Sequence, residues 1–230
     1  MRKAGLIVMT CLLALGLRAQ ELKIIIGVGT STYSRMWAPE YWWDWSGTKG
    51  GLNPFKNVRG AVVGGLGIVF PISERVALEA DALYFSKGAT FSQSRLSQPD
   101  PPQSESVRKE FSLQGFAVPV MAKVRLLPRP YPYIVAGVDL SFTSYHMLRE
   151  YRQLDVIDPY FRLWQSQQLV HETRTFDWGP VLGIGFDIAM PMAVLELELR
   201  YQVGLPDIHS EPGDYQVRTR SFFVVAGFRI

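Results

Sequence analysis

Residues 208–214, with the sequence IHSEPGD, place His209, Ser210 and Glu211 next to one another. These are the residue types of a hydrolase, in which a histidine takes the proton of a serine hydroxyl and a carboxylate supports the histidine. Adjacent side chains point to opposite sides of an extended chain, however, and the following proline and glycine predict a turn. Lipid hydrolysis at this place is therefore the most distant function considered, and we predict no catalytic residue and no enzyme.

Two pairs of carboxylates have a spacing that brings both members of each pair to one side of a strand. They are Glu79 with Asp81 and Glu196 with Glu198. Facing carboxylates can act as an acid and a base. Lysine and arginine residues occupy corresponding positions on other strands, so the sequence favours structural ion pairs over catalysis.

Other motifs do not predict a cofactor or a metal site. The pairs Gly27/Gly29, Gly65/Gly67 and Gly183/Gly185 are not followed by a helix or by a Gly-Lys-Ser/Thr motif, as a phosphate-binding loop requires. We interpret them as strand positions that leave room for larger neighbours inside a barrel. His146, His171 and His209 are isolated along the chain, and no pair has the spacing of metal ligands.

Residues 37–47, with the sequence WAPEYWWDWSG, hold four of the six tryptophans in a segment with neither helical nor strand periodicity. One interpretation is that the rings lie at the membrane surface as part of an aromatic girdle. The other is that they present flat apolar faces to an extracellular glycan or protein, since aromatic residues dominate binding sites. The candidate surface-binding residues are Trp37, Tyr41, Trp42, Trp43, Trp45 and Trp164.

The elements that must position these residues are strands, because apolar residues recur at every second position. In residues 193–203, leucine, tyrosine and valine alternate with glutamate, arginine and glutamine. Residues 76–85 and 176–189 show the same alternation between an apolar face and a small or charged face. Such a period of two is typical of β-strands with one face against an apolar environment.

The alternation predicts eight strands, at about residues 22–32, 58–70, 76–86, 111–127, 133–145, 175–189, 193–204 and 217–230. Short turns at 71–75, 128–132 and 190–192 alternate with long loops at 33–57, 87–110, 146–174 and 205–216. Alternating short and long connections are typical of a membrane barrel with periplasmic turns and extracellular loops. The sequence therefore predicts an all-β protein, an eight-stranded antiparallel up-and-down transmembrane β-barrel.

The first twenty residues predict export. Arg2 and Lys3 precede an apolar run at residues 4–17, and a small residue follows at position 19, as in a cleaved signal peptide. Removal of residues 1–20 takes away the only cysteine and lowers the number of basic residues from 24 to 21, equal to the 21 acidic ones. We therefore expect a single domain at residues 21–230, without disulfides and without the basic surface that binds nucleic acid.

Several segments resemble a known family. GGLGIVFPISERVALEADALYFSKGA, FAVPVMAKVRLL with PYIVAGVDLSF, GPVLGIGFDI with LELELRYQVGLPDI, and the terminal SFFVVAGFRI are similar to strands of small porin-like outer-membrane proteins with the outer membrane protein beta-barrel domain of Bacteroidetes type. The resemblance covers the chain after the signal peptide. It implies a monomer in contact with outer-membrane lipid in a Gram-negative bacterium, and it says little about activity.

The charged inward positions predict a network of ion pairs in the lumen. Its expected members are Lys23, Glu79, Asp81, Lys123, Arg125, Asp139, Asp187, Glu196, Glu198, Arg200 and Arg229. The strand order predicts that Glu79 and Asp81 lie beside Lys123 and Arg125 and that such pairs close the lumen. We therefore expect a non-enzymatic structural or surface-interaction protein. A narrow passive channel for small solutes is the main alternative.

Overall fold

The computed structural model describes residues 21–35, 58–96, 104–127, 131–154, 158–208 and 217–230. Ten β-strands lie in these ranges: β1 (Glu21–Arg35), β2 (Arg59–Pro71), β3 (Val76–Leu96), β4 (Ser104–Ala117), β5 (Val120–Arg125), β6 (Tyr131–Leu154), β7 (Asp158–Gln168), β8 (Phe176–Ala189), β9 (Val194–Val203) and β10 (Val217–Arg229). A short 3-10 helix spans Val170–Glu172. Within these ranges, no helix is both long and apolar enough to cross a membrane.

The strands form a closed ring. β1 pairs with β2 on one side and with β10 on the other, and the ring continues from β10 through β9, β8 and β6 to β3. Between β6 and β3 the ring position is shared by β4 and β5, one after the other. Every pairing is antiparallel, so the predicted eight-stranded antiparallel ring is confirmed. We call the end with the three short connections the turn rim and the opposite end the loop rim.

The predicted strand 111–127 is divided in the structure, because β4 ends at Ala117 and β5 begins at Val120. Pro119 has no backbone N–H and cannot continue the ladder as a donor. Its carbonyl still accepts the N–H of Asp81 at 3.0 Å, and the Val118 N–H donates to the Leu140 carbonyl at 2.7 Å. The ring therefore stays closed across the interruption.

Two of the predicted long loops are wrong. Residues 87–110 contain the outer parts of β3 and β4, and residues 146–174 contain the end of β6, all of β7 and the 3-10 helix. In the described part of the chain, β7 pairs only with β6, so β3, β4, β6 and β7 form a sheet that extends past the loop rim. The sequence pattern missed these segments because a strand outside a bilayer does not need a continuous apolar face.

The faces of the ring follow the predicted alternation. Outward positions between the turn rim and the loop rim carry no aspartate, glutamate, lysine or arginine, and large apolar residues such as Ile26, Leu182 and Val224 are exposed there. Near the loop rim, exposed aromatic rings lie on six strands: Tyr84, Phe116, Phe142, Phe176, Trp178, Tyr201 and Phe222. We call this group the aromatic girdle, by its similarity to the girdles that mark membrane interfaces.

Candidate functional site in the barrel lumen

The inward positions closest to the turn rim carry a cluster of charged side chains, here called the ionic layer. Each member lies within six residues of a strand end at that rim, and the alternation that exposes the neighbouring apolar residues turns these side chains inward. The ionic layer consists of Lys23, Glu79, Asp81, Lys123, Arg125, Asp187, Glu196, Glu198, Arg200 and Arg229, nearly all of them buried.

Lys123 connects strands on opposite sides of the ionic layer. Its Nζ lies 2.6 Å from Asp187 Oδ1, 2.6 Å from Glu196 Oε1 and 3.5 Å from Glu79 Oε1. The ammonium group also lies 3.7 Å from the centre of the Tyr133 ring, a distance typical of cation–π contacts. This side chain is almost completely buried, so its ammonium group is compensated by these carboxylates rather than by water.

Lys23 and Arg200 bind Asp81 and Glu198, and Lys23 shares Glu79 and Glu196 with Lys123. Lys23 Nζ lies 2.6 Å from Glu79 Oε2, 3.3 Å from Glu196 Oε2 and 3.6 Å from Asp81 Oδ1. Arg200 Nη1 lies 3.1 Å from Asp81 Oδ2, and its Nε lies 2.6 Å from Glu198 Oε1. These contacts join β1, β3 and β9 across the lumen, although no two of these strands are hydrogen-bonded neighbours in the ring.

The predicted neighbours of Glu79 and Asp81 need one correction. Lys123 contacts Glu79 as expected, but the partner of Arg125 is Asp187, at 3.2 Å from Nε to Oδ2. Arg229 reaches the same carboxylate at 3.2 Å. Asp81 is instead held by Lys23 and Arg200.

Asp139 lies apart from the ionic layer, although the sequence placed it in the same network. Its Oδ2 accepts a hydrogen bond from Ser141 Oγ at 2.6 Å. It is buried on the inner face of β6, closer to the loop rim, and no ion pair joins it to the ionic layer among the described residues. The lumen therefore has a separate polar position above its charges.

Apolar side chains fill much of the lumen above the ionic layer. One buried cluster contains Ile25, Ala61, Val63, Leu83, Phe85, Leu113, Ala117, Phe223 and Val225, and a second contains Met121, Tyr133, Val135 and Val181. We call these two clusters together the apolar layer. The pattern of charged residues did not predict this layer. Leu83 and Phe85 lie on the same inward face of β3 as Glu79 and Asp81, so the alternation of that strand could have predicted apolar side chains in the lumen.

A third buried cluster closes the lumen at the loop rim. Tyr33, Phe111 and Ile208 pack there, and the Tyr33 and Phe111 rings meet edge to face with centroids 5.7 Å apart. The Tyr33 hydroxyl lies 3.1 Å from His146 Nε2, and the opposite ring nitrogen of His146 lies 2.7 Å from Thr173 Oγ1. The sequence placed His146 in the long loop 146–174, but the residue belongs to β6 and its ring is buried between β1 and the segment that follows β7.

The predicted surface-binding residues are only partly within the described ranges. Trp37, Tyr41, Trp42, Trp43 and Trp45 lie outside the described residues, as do His209, Ser210 and Glu211. The backbone of Trp164 belongs to β7 rather than to a loop. In the part of the chain that is described, no group of three or more metal-ligating side chains is present.

A closed antiparallel ring with an apolar, uncharged outer surface and a charged interior defines the class of membrane-spanning β-barrels. The chain belongs to the outer membrane protein beta-barrel domain family, whose model matches residues 19–210. It is thus a protein of the outer membrane of Gram-negative bacteria, with the turn rim on the periplasmic side and the loop rim outside the cell, as is usual for this class.

Solved structures of outer-membrane proteins are similar to this chain at low identity. Neisserial surface protein A is 10% identical, with 91% of this chain and 96% of that chain covered and a TM-score of 0.40. OprG from Pseudomonas aeruginosa is 10% identical, with 92% of this chain and 95% of that chain covered and a TM-score of 0.43. The attachment invasion locus protein of Yersinia pestis is 12% identical, with 93% of this chain and 100% of that chain covered and a TM-score of 0.36. No curated protein sequence matches the chain.

Proposed function

We propose that the protein is a sealed, non-enzymatic outer-membrane barrel that acts through its extracellular side, after removal of residues 1–20 on export. The observation that carries this proposal is the filling of the lumen by the ionic layer and the apolar layer. An eight-stranded barrel has an interior only just wide enough for side chains. Here both large apolar and paired charged side chains occupy it, so a solute would have to displace them.

The sheet beyond the loop rim supports an extracellular role. β3, β4, β6 and β7 continue as a hydrogen-bonded sheet outside the ring, and the inner face of this sheet packs on the cluster around Phe111. Binding residues placed on loops act best when a rigid scaffold positions them. This sheet is such a scaffold for the segments that connect its strands.

The sealed lumen predicts the absence of steady conductance. We expect that purified, folded protein in a planar bilayer gives no stable current steps at moderate voltage, because the ion pairs and apolar side chains leave no continuous water path. A compact form that migrates faster before boiling than after it demonstrates folded protein in the same sample. A large porin in the same bilayer is the positive control. Stable current steps from the folded protein would instead establish the passive channel.

The aromatic segment 37–47 predicts where an extracellular partner binds. Replacing Trp42, Trp43 and Trp45 by alanine should abolish binding of this protein to a glycan or protein of the cell surface, because apolar rings of this size supply much of the energy of such contacts. An array of glycans and extracellular proteins provides the measurement, and heat-dependent gel mobility checks that the barrel still assembles. Loss of assembly in the triple variant would show that the rings are structural.

A further inference from the structure

The inward positions of β10 show a change in the lumen above the apolar layer. Towards the loop rim they are Phe223 of the apolar layer, then Ser221 and Thr219, then Val217 of the third buried cluster. The next strands of the ring carry small or polar inward residues at the same level: Gln202 on β9, Asp177 and Gly179 on β8, and Asp139 and Ser141 on β6. The interior of an eight-stranded barrel is only just wide enough for side chains to fill it. Small residues at this level therefore leave room, and we call this part of the lumen the polar chamber.

Asp139 and Asp177 are the acidic side chains of the polar chamber. In the ladder Asp139 pairs with Gly179 and Asp177 pairs with Ser141, so the two acids are diagonal neighbours, roughly 7 Å apart at ordinary strand spacing. Oδ2 of Asp139 accepts the Ser141 hydroxyl at 2.6 Å, and Oδ2 of Asp177 accepts the Thr219 hydroxyl at 3.0 Å. Oδ1 of each acid is buried and has no hydrogen-bond partner among the described residues. Each carboxylate thus keeps one oxygen that can bind a further group.

Lys87 is the one cationic side chain that faces the polar chamber in the described part of the chain. It is buried on β3, where its Nζ lies 4.5 Å from the centre of the Phe85 ring, and its charge attracts Asp177. One lysine and two acids leave one negative charge in excess. An uncompensated charge enclosed in a barrel is strongly unfavourable, so either a bound cation or a proton is required there.

We propose that the polar chamber binds a small monovalent cation, of the size of sodium or potassium, between Asp139 and Asp177. Besides the two carboxylate oxygens, the chamber offers hydroxyl oxygens and the amide of the buried Gln202, whose side chain makes no hydrogen bond to a described residue. Such oxygen ligands suit hard cations. A single positive charge neutralises the chamber, whereas a divalent ion would leave it positive. The proposal rests on the sealed lumen: failure of the seal would appear as conductance, and failure of the site would appear as lost retention of the ion.

The experiment uses radioactive sodium and radioactive rubidium, whose ionic sizes bracket the proposed range. The protein is folded in uncharged detergent in the presence of either tracer. It is then passed rapidly through a desalting column in choline chloride, whose cation is too large for the chamber. We expect the folded protein to retain at least one of the tracers in an equimolar amount, and the same sample unfolded in urea to retain neither.

Three variants test the position of the ion. Asp139→Asn and Asp177→Asn each keep the shape of the side chain and remove one charge, and each should lower the retained tracer about tenfold or more. Glu74→Gln removes the same charge from the exposed turn between β2 and β3, at the opposite rim, and should retain the tracer like the parent. Heat-dependent gel mobility checks that each variant is folded. Absence of retention by the folded parent would mean that a proton neutralises the chamber. That result, unchanged retention in both asparagine variants, or an equal loss in Glu74→Gln would each overturn the proposal.

Discussion

Replacing Lys123 by methionine is expected to lower the free energy of unfolding by about 3–5 kcal/mol, the range for removal of one partner from a buried ion pair. Methionine has a similar length, so the change removes charge and little volume. Asp187 and Glu196 each lose a contact of 2.6 Å, and Glu79 loses one of 3.5 Å. Arg125 is partly exposed, so Arg125→Gln should cost less.

The measurement is the urea concentration at which the compact, fast-migrating form is lost on unheated gels. Arg75→Gln, which lowers the positive charge by the same amount in an exposed turn, is the matched control and should behave like the parent. The double variant Lys123→Met/Glu196→Gln removes one charge of each sign and should recover part of the lost stability. A single Lys123→Met variant as stable as the parent would show that the ionic layer contributes no net stability.

Replacing Gly185 by valine is expected to prevent assembly of the barrel. A Cβ atom at this inward position of β8 would lie 2.5 Å from the Leu197 carbonyl oxygen and 2.5 Å from Cζ of Tyr133. The Tyr133 ring cannot move away without cost, because it lies against the Lys123 ammonium group, and its hydroxyl donates to Glu198 at 3.3 Å. Overpacking of this kind costs about 1–3 kcal/mol or more, and here it also disturbs the ion pairs.

Gly60→Val is the matched control for this substitution. Gly60 also lies in a strand, but its position is exposed, and no atom lies within 4 Å of a Cβ built there. We expect the Gly60 variant to show normal heat-dependent mobility and the Gly185 variant to remain in the unfolded, slowly migrating form. Normal assembly of both variants would mean that Tyr133 has an alternative position, and the packing argument at Gly185 would be wrong.

The ring strands could be predicted from sequence because a bilayer imposes a strict pattern on them. Ile24, Ile26 and Val28 must face lipid, and their neighbours must not, so the alternation of β1 is visible without a structure. The outer halves of β3, β4 and β6, and all of β7, face water on at least one side. Polar residues can occupy both faces of a strand there. Apolar and polar residues then no longer alternate along the sequence, although the backbone still forms a strand.

Whether a charged side chain faces the lumen or the outside of the barrel could be predicted, whereas its ion-pair partner could not. Alternation alone turns Arg125 and Asp81 inward. Which inward charges form ion pairs depends on the tilt of the strands and on how far long side chains reach across the lumen. In this barrel, Arg125 reaches Asp187 on β8. The seal at the loop rim depends on Tyr33, His146 and Thr173, which are distant in sequence and have no shared pattern.

The ionic layer also divides unevenly along the chain. Strands β1 to β5 contribute three cations, Lys23, Lys123 and Arg125, and two anions, whereas β8 to β10 contribute two cations, Arg200 and Arg229, and three anions.

Each half of the chain therefore carries one uncompensated charge of opposite sign, and contacts such as Lys123 with Asp187 and Arg200 with Asp81 form only between the halves. An open sheet with the first and last strands apart would hold these charges without partners in a poorly hydrated place. The charges thus act as an electrostatic latch, which favours joining β1 to β10 within one molecule over an open sheet or a ring of another size.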